Sequence, residues 1–129
     1  MANQFVVQLK NEPGSMATLA ETLAAGGVDL RAIGGGGIGD AGHVIMTTAD
    51  DDTTRQVLDE GGYTYIEGES ILAEVDDRPG GMAALARQLA DAGVNIYGHL
   101  FLGRWGDRAM FAFVVDRPDV ARPILERKG

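Results

Sequence analysis

Apolar and polar residues alternate near the start of the chain, first with the period of a strand and then with that of a helix. Phe5, Val7 and Leu9 are separated by single residues, which predicts a β-strand with one buried face. A Pro-Gly pair follows and ends the strand. The next apolar residues recur at helical spacing and predict an amphipathic helix with a stripe of Met16, Leu19, Ala20, Leu23 and Ala24.

This pattern occurs twice in the chain. A shift of 66 residues places residues 13–30 on residues 79–96, and ten of these eighteen positions are identical. The strand and the helical stripe recur at Ile71, Ala73, Val75, Met82, Leu85, Ala86, Leu89 and Ala90. The register then continues without a gap as far as Asp50 on Asp116. An internal duplication explains this correspondence and predicts two units, residues 1–68 and 69–129.

Each unit continues with two strands and a shorter helix, in the order β-α-β-β-α. Gly27 and Gly93 end the first helices, where a left-handed residue is favoured. The following strands begin at Asp29 and Asn95 and are followed by strands over residues 43–49 and 108–115. The short helices are predicted to begin near Asp52, a good N-cap, and near Asp119, with Pro123 in the first turn of the latter.

The run GGGGIG at residues 34–39 also fits G-x-G-x-x-G, the spelling of a phosphate-binding loop. That motif requires a helix directly after the glycines. In the duplicated register, residues 34–39 match residues 100–105, at the end of one strand and the turn into the next. The run is therefore predicted to be a glycine-rich strand end and hairpin, where glycine marks a bend or a close approach of backbone or ligand.

Composition narrows the classes of function. The net charge of −8 disfavours a nucleic-acid partner. No apolar run reaches the roughly 18 residues of a membrane helix, so we expect no membrane span and a cytoplasmic location. Two histidines are too few for a self-contained zinc site, and there is no cysteine. No metal or cofactor is predicted, and a small neutral, zwitterionic or cationic ligand suits the charge best.

The repeated unit resembles an ACT domain, a small βαββαβ module that binds amino acids in the regulatory parts of metabolic enzymes. The segments that carry the resemblance are LKNEPGSMATLAETLAAGGVDL and VDDRPGGMAALARQLADAGVNI. The second is similar to the serine-sensing tail of phosphoglycerate dehydrogenase. The resemblance implies an α+β, ferredoxin-like fold in tandem, with antiparallel sheets and helices on one face. It covers nearly the whole chain.

The resemblance also implies where an amino acid binds. In ACT domains the loop after the first strand of one unit meets the second strand of a neighbouring unit. The matching loop positions are Asn11, Gly14 and Ser15 in the first unit and Asp77, Gly80 and Gly81 in the second. The matching strand positions are Asp29, Leu30, Asn95 and Ile96.

The chemistry of the loop agrees with this assignment. Glycine lets a ligand approach the backbone, and the N–H groups at a helix start suit a carboxylate. The amide of Asn11 can accept from an ammonium and donate to a carboxylate. Asn and Asp before Pro-Gly are also ordinary turn residues, so turn chemistry alone is the competing interpretation.

The two units differ at their ends. The first continues into YTYIE, residues 63–67, which matches the fourth strand of an ACT domain, whereas the second stops at the position aligned with Tyr63. Its fourth strand is therefore expected to be missing. Because two residues separate 63–67 from the next strand, a hairpin is predicted in which 63–67 fills the vacant fourth place of the second unit.

The second unit also carries an aromatic face. Tyr97, His99 and Phe101 alternate on one strand, and Phe111 and Phe113 alternate on the next. At the 66-residue shift this set occupies the face opposite the helices, which predicts an uncovered surface. Such a surface is usually an oligomer interface and less often a pocket for an apolar ligand. Together with the missing fourth strand, it predicts a homodimer or larger homo-oligomer.

Three functions follow from these observations. The first is a non-catalytic amino-acid-binding sensor that changes its association with itself or with an unknown metabolic enzyme. The second is a small enzyme in which His99 and Tyr97, with Asp107 or His43 as helpers, perform acid–base chemistry. The third is a structural adaptor without a ligand. The amino-acid-binding sensor requires no catalytic residue, and none is assigned to it.

The two ligand sites are expected to be unequal. Pairing of the units in the ACT manner combines Asn11, Gly14 and Ser15 with Asn95, and Asp77, Gly80 and Gly81 with Asp29. The first junction is neutral and suits a zwitterion. The second brings two carboxylates together and repels a ligand carboxylate, so half occupancy is predicted.

Overall fold

The computed structural model describes residues 3–126 and divides into two compact units, Met1–Gly68 and Glu69–Gly129. Both have α+β architecture with an antiparallel sheet and two helices, as the sequence predicts. Residues 1, 2 and 127–129 lie outside the described residues.

The first unit contains a four-stranded sheet. Its elements are β1 (Asn3–Lys10), α1 (Ser15–Ala25), β2 (Leu30–Ile38), β3 (Ala41–Thr48), α2 (Asp51–Glu60) and β4 (Tyr65–Glu69). The strand order is β2-β3-β1-β4. Phe5 of β1 lies opposite Met46 of β3, and both are fully buried against Leu19 of α1 and Leu58 of α2. Both helices therefore cover the same face, as an alternating strand and an amphipathic helix require.

The second unit contains a three-stranded sheet within the described residues. Its elements are β5 (Ile71–Asp76), α3 (Gly81–Asp91), β6 (Ile96–Trp105), β7 (Arg108–Val115) and α4 (Pro118–Leu125). The strand order is β5-β7-β6. Ile71 of β5 lies opposite Phe113 of β7, and both pack against Leu89 of α3 and Leu125 of α4.

The position of the fourth strand, β4, differs from the sequence prediction, which pairs it with the second unit in a hairpin. β4 joins the sheet of the first unit beside β1, and the backbone N–H of Gln8 donates to the carbonyl of Thr64 at 2.9 Å. The guanidinium of Arg55 on α2 also donates twice to the carboxylate of Glu67, at 2.7 and 2.6 Å. The assignment of residues 63–67 to the second unit is therefore wrong: local contacts with β1 and α2 keep this strand in its own sheet.

Two helix starts also differ from the sequence prediction. α2 begins at Asp51, and its N-cap is Asp50, whose carboxylate accepts from the backbone N–H groups of Asp52 and Thr53. α4 begins at Pro118, so Pro118 occupies the first turn and Pro123 lies inside the helix. A proline ring at the first position fits helical dihedrals, which explains the earlier start.

The duplicated register slips by one residue in the second unit. In β6, Phe101 pairs with Phe111 and Gly103 with Met110, which leaves Leu102 as an extra residue, a β-bulge. Beyond the bulge the shift between the units is 67. The hairpin turns confirm it, because Gly39 and Gly106 both have a φ of 60°. The ungapped match of Asp50 to Asp116 is therefore wrong.

This slip moves the aromatic residues of β7 to the other face of the sheet, since side chains alternate along a strand. Phe113 is 1% exposed in the core beneath the helices, and Phe111 packs against the same core. The prediction that both lie on an uncovered second face is wrong. The exposed aromatic residues of β6, an edge strand, are Tyr97, Phe101 and Trp105.

The glycine run lies where the sequence places it. Residues 34–37 belong to β2, and a turn at Gly39 and Asp40 leads into β3. The next helix starts only at Asp51. The left-handed conformations predicted for Gly27 and Gly93 are also present, with φ values of 77° and 75°.

Candidate ligand-binding site

The loop between β1 and α1 presents an uncapped helix start. Gly14 is the N-cap of α1 with a φ of 90°, a conformation that glycine adopts without strain, and no side chain caps the helix. The N–H of Ser15 donates to the carbonyl of Glu12 at 3.3 Å. The first turn of α1 therefore offers backbone N–H groups and the positive end of the helix dipole, which favour an anionic group.

A groove with a volume of about 390 Å³ opens beside this loop within the first unit. Side chains and backbone of three strands and of the start of α1 form its wall. The lining residues are Leu9, Lys10, Asn11, Glu12, Ser15, Met16, Ile33, Gly34, Gly35, Gly36, Gly42 and His43. Two of the three predicted loop residues, Asn11 and Ser15, are among them.

The third predicted loop residue, Gly14, lines a neighbouring groove of about 420 Å³. That groove also contains Thr18 and Tyr63, and it shares Glu12 and Ser15 with the first. The structure therefore brings the three loop residues of the first unit together around the start of α1.

The glycines of β2 allow the loop and the strands to approach closely. A Cβ atom on Gly35 would lie 2.3 Å from the carbonyl oxygen of His43. A Cβ atom on Gly37 would lie 2.6 Å from Cγ and Oδ1 of Asn11. The backbone at His43 leaves no room for a side chain at Gly35, and a side chain at Gly37 would displace the Asn11 amide. The glycine run therefore serves a close approach of the loop and the strands rather than a phosphate loop.

Asn11 fixes the loop to the β2–β3 turn. Its Nδ2 donates to the carbonyl of Gly39 at 2.9 Å, and its backbone N–H donates to the carbonyl of Asp40 at 3.0 Å. An amide has two N–H groups and one acceptor oxygen, so one N–H is used by the turn. The second N–H and the Oδ1 atom are left for a ligand.

The two charged residues of the groove have opposite signs. Lys10 and Glu12 line it, and neither forms an ion pair with a group in residues 3–126. The groove is therefore neutral overall and offers one cation and one anion. A zwitterion meets both charges with complementary groups.

The second unit uses the same loop differently. Asp77, the counterpart of Asn11, accepts from Arg104 Nε at 2.8 Å, and the Arg104 guanidinium lies 4.7 Å from the centre of the Phe101 ring. Gly80 repeats the left-handed N-cap with a φ of 89°. A Cβ atom on Gly81 would lie 2.1 Å from the carbonyl oxygen of Asp76, so close packing explains this glycine.

The predicted strand residues lie at the far ends of their strands. Leu30 and Ile96 pack against the cores of their units. The carbonyls of Asp29 and Asn95 accept from Ala49 and Asp116, both at 3.0 Å. Leu30 is seven residues from Gly37, about 23 Å along β2. Within one unit the structure therefore does not bring the strand residues to the loop, and their contact with a ligand stays a prediction.

The predicted repulsion between Asp77 and Asp29 is reduced by an ion pair at each carboxylate. Asp77 pairs with Arg104, and the carboxylate of Asp29 lies 3.1 Å from Arg31 Nη2. Each carboxylate has a cation within its own unit, so neither is an uncompensated charge. Ion pairs this exposed are weak, so they reduce the repulsion without removing it, and the unequal occupancy of the two junctions stays a prediction.

The alternative of an acid–base site at His99 gains no support. The His99 ring packs against Phe111 and Phe113, with ring centres 6.4 and 6.1 Å apart. His99 lies opposite Phe113 of β7. Phe113 is six residues from Asp107 in the turn, so His99 and Asp107 are about 20 Å apart along the hairpin. A general base requires a partner within hydrogen-bond distance, so Asp107 cannot assist His99.

The clearest perturbed ionisations lie away from the groove. The paired hydrogen bonds from Arg55 lower the pKa of Glu67, with a further contribution from Asn3, whose Nδ2 donates at 2.8 Å. Burial, together with the hydrogen bond to Asp59, raises the pKa of Tyr65 to about 12. This network joins β1, α2 and β4, and its role is structural.

Several groove residues were not predicted from the sequence. Met16 and Ile33 belong to apolar patterns that indicate a core, yet each is 43% exposed at the wall of the groove. Lys10 and Glu12 were assigned no role in ligand binding, and His43 was named only as a possible helper in acid–base chemistry. The one signal for this region was the glycine run, because four small residues in a strand leave space beside the adjacent loop.

Comparison with solved structures identifies similar folds. Protein BT0572 from Bacteroides thetaiotaomicron is 20% identical over 97% of this chain and 86% of that chain, with a TM-score of 0.70. The regulatory subunit of aspartate kinase from Thermus thermophilus, in its ligand-free form, is 17% identical over 97% and 89%, with a TM-score of 0.60. That from Thermus flavus is 16% identical over 98% and 92%, with a TM-score of 0.63.

The likeness establishes the fold. At these identities it confirms the tandem ferredoxin-like architecture that the resemblance to ACT domains implies. No protein-family model and no curated protein sequence matches the chain. No helix among residues 3–126 is long and apolar enough to cross a membrane. A fold does not determine function, which depends on the residues of the site.

Proposed function

We propose that this chain is a non-catalytic regulatory module that binds a free amino acid at the β1–α1 loop of its first unit. The observation that carries the proposal is the groove of about 390 Å³ between this loop and the glycine run of β2. The likeness to regulatory subunits of aspartate kinase supports a regulatory role. The resemblance to ACT domains supports an amino acid as the ligand.

The groove has complementary groups for both ends of an amino acid. The uncapped first turn of α1 and the ammonium of Lys10 suit the carboxylate. The carboxylate of Glu12 and the Oδ1 atom of Asn11 suit the ammonium. Ordering the loop around such a ligand stabilises the folded state, because the ligand binds only the folded chain.

Regulation is proposed to act through association. In the ACT arrangement a neighbouring unit completes the site with residues of its second strand, so Asp29, Leu30, Asn95 and Ile96 remain proposed contacts. A site completed by a second unit couples ligand binding to assembly. The partner is a second copy of this chain, as a homodimer, or a metabolic enzyme. The exposed Tyr97 and Phe101 on the edge strand β6 support the homodimer.

A thermal-shift screen of the twenty amino acids tests the proposal. A ligand present at a hundred times its Kd adds about 2.7 kcal/mol to the free energy of unfolding. One or a few amino acids should therefore raise the melting temperature by several degrees. Light scattering with and without the active amino acid should show a change in the association state.

Gly14→Ala and Gly80→Ala form a matched pair for this screen. Both glycines are N-caps with φ near 90°, so alanine strains both helices by a similar amount, about 1–2 kcal/mol. Gly14→Ala should reduce the ligand-induced shift, whereas Gly80→Ala should keep it. A wild-type protein that responds to no amino acid contradicts the proposal, and equal responses of the two variants place the ligand elsewhere.

A further inference from the structure

The second unit fills with its own side chains the positions that leave the groove open in the first. Gly35 pairs with Val44, and at the equivalent place in the other hairpin Phe101 pairs with Phe111. The loop residue Asn11 is likewise replaced by Asp77. At these strand positions the second unit therefore carries large side chains, whereas the first unit carries glycine.

These side chains form a connected set of contacts in the second unit. The guanidinium of Arg104 lies 4.7 Å from the centre of the Phe101 ring, a cation–π contact. Its Nε donates to the carboxylate of Asp77 at 2.8 Å. An apolar group and a cation that pairs with the loop thus stand beside the start of α3.

The first unit keeps the surroundings for such a pair of groups but lacks the groups themselves. Gly35 replaces the ring, and Gly37 stands at the place of Arg104. Met16 and Ile33 form exposed apolar walls, and Asn11 and Glu12 offer acceptors at the loop. Ile33 and Gly36 are three residues apart, about 10 Å along β2, which is long enough for an amino acid.

We infer that the ligand of the first unit supplies the apolar group and the cation that the second unit supplies from Phe101 and Arg104. This inference rests on the proposed function and narrows its ligand class. The ligand is a neutral amino acid with a large apolar side chain, such as leucine or phenylalanine. Its side chain lies against Met16 and Ile33, and its ammonium lies near Asn11 and Glu12.

Calorimetry on the full chain tests the inference with leucine, phenylalanine, serine and aspartate. Leucine or phenylalanine should bind at least about tenfold more tightly than serine, because burial of a large apolar side chain accounts for that ratio or more. Aspartate should bind no better than serine. Ile33→Thr should weaken binding of the apolar amino acid about tenfold.

Ile66→Thr is the matched control. Ile66 lies on β4 of the same unit, is 40% exposed against 43% for Ile33, and does not line the groove. It should bind the ligand as the wild type does. Gly35 is not a suitable position, because a Cβ atom there clashes with the backbone at His43.

The outcomes separate this inference from the proposed function. Serine or aspartate binding as tightly as leucine and phenylalanine overturns the apolar ligand class and leaves the amino-acid sensor standing. Equal effects of Ile33→Thr and Ile66→Thr also overturn it. If none of the twenty amino acids binds, the proposed function fails, and this inference fails with it.

Discussion

The Pro-Gly turn and the first helix are closely similar in the two units, whereas the β-hairpin that follows is not. In the first unit the hairpin carries four consecutive glycines and leaves a groove beside α1. In the second it carries Leu100, Phe101 and Leu102 and gains a bulge. The duplication thus preserved the first helix and the buried positions of the hairpin, and it changed the residues next to the turn of the hairpin, which form the candidate site in the first unit.

The bulge shows how one residue changes the surface of a unit. Leu102 has no partner on β7, and every later residue of the hairpin is displaced by one position relative to the first unit. Because strand side chains alternate between faces, this places Phe111 and Phe113 toward the helices. The bulge at Leu102 lies at the place in the second unit that corresponds to the groove of the first. It is a local change, and the core residues of β7 still alternate with residues on the other face.

The largest predicted effect tests this displacement. Phe113→Asp places a charge among Ile71, Leu89 and Leu125, so it should destabilise the second unit by about 4 kcal/mol or more. Phe101→Asp on the same face is the control, since Phe101 is 48% exposed and should cost less than about 1 kcal/mol. Hydrogen exchange resolved by unit measures both.

The first unit should stay protected in both variants if the two units have separate cores. A small effect of Phe113→Asp, equal to that of Phe101→Asp, would contradict the one-residue slip and restore the ungapped register. Loss of protection in both units would show that the second core also stabilises the first.

The sequence predicts the fold well because the fold depends on repeated, periodic features. The apolar stripes of α1 and α3 and the left-handed glycines at 27 and 93 required only local spacing. The bulge at Leu102 could not be predicted, because a single inserted residue between similar strands leaves the apolar pattern plausible in either register. The pairing of β4 with β1 depends on tertiary contacts such as Arg55 with Glu67.

The candidate site was predicted in part for a similar reason. Asn11, Gly14 and Ser15 came from a repeated motif, and they surround the start of α1 as expected. The groove wall at Met16 and Ile33 was missed, because exposure at the edge of a helix or sheet is not visible in an apolar pattern. The ion pair between Asp77 and Arg104 joins residues 27 positions apart that share no motif.

A smaller effect is predicted at the fourth strand, which only the first unit has among the described residues. The pKa of Glu67 is lowered by Arg55, so its charged form stabilises the folded state above the unfolded pKa, about 4.3. This stabilisation is lost as the pH falls through the lowered pKa. Glu67→Gln should therefore cost about 1 kcal/mol at pH 7 and little at pH 3.

Glu69→Gln is the matched control for that measurement. Glu69 pairs with Arg122, but it is more exposed than Glu67, so its loss should change the free energy of unfolding less. Urea titrations at pH 7 and pH 3 give both values. A cost of Glu67→Gln that is the same at both pH values would show that the carboxylate charge does not hold β4.

The smallest effect on stability is predicted for the loop of the second unit, and it decides whether the two units bind ligand equally. Asp77→Ala removes an exposed ion pair with Arg104 and should change the free energy of unfolding by less than about 1 kcal/mol.

The same variant tests the number of ligands that the chain binds. Because Phe101 and Arg104 occupy the positions that are glycine in the first unit, calorimetry should find one amino acid per chain, and Asp77→Ala should still bind it. Asn95→Ala should abolish binding if the proposed pairing of the units places that amide against the ligand. Its own hydrogen bonds to Asp116 use only the Asn95 backbone, so the fold should remain intact. Two ligands per chain would show that both units bind, and loss of binding in Asp77→Ala with Asn95→Ala unaffected would show that the loop of the second unit holds the site.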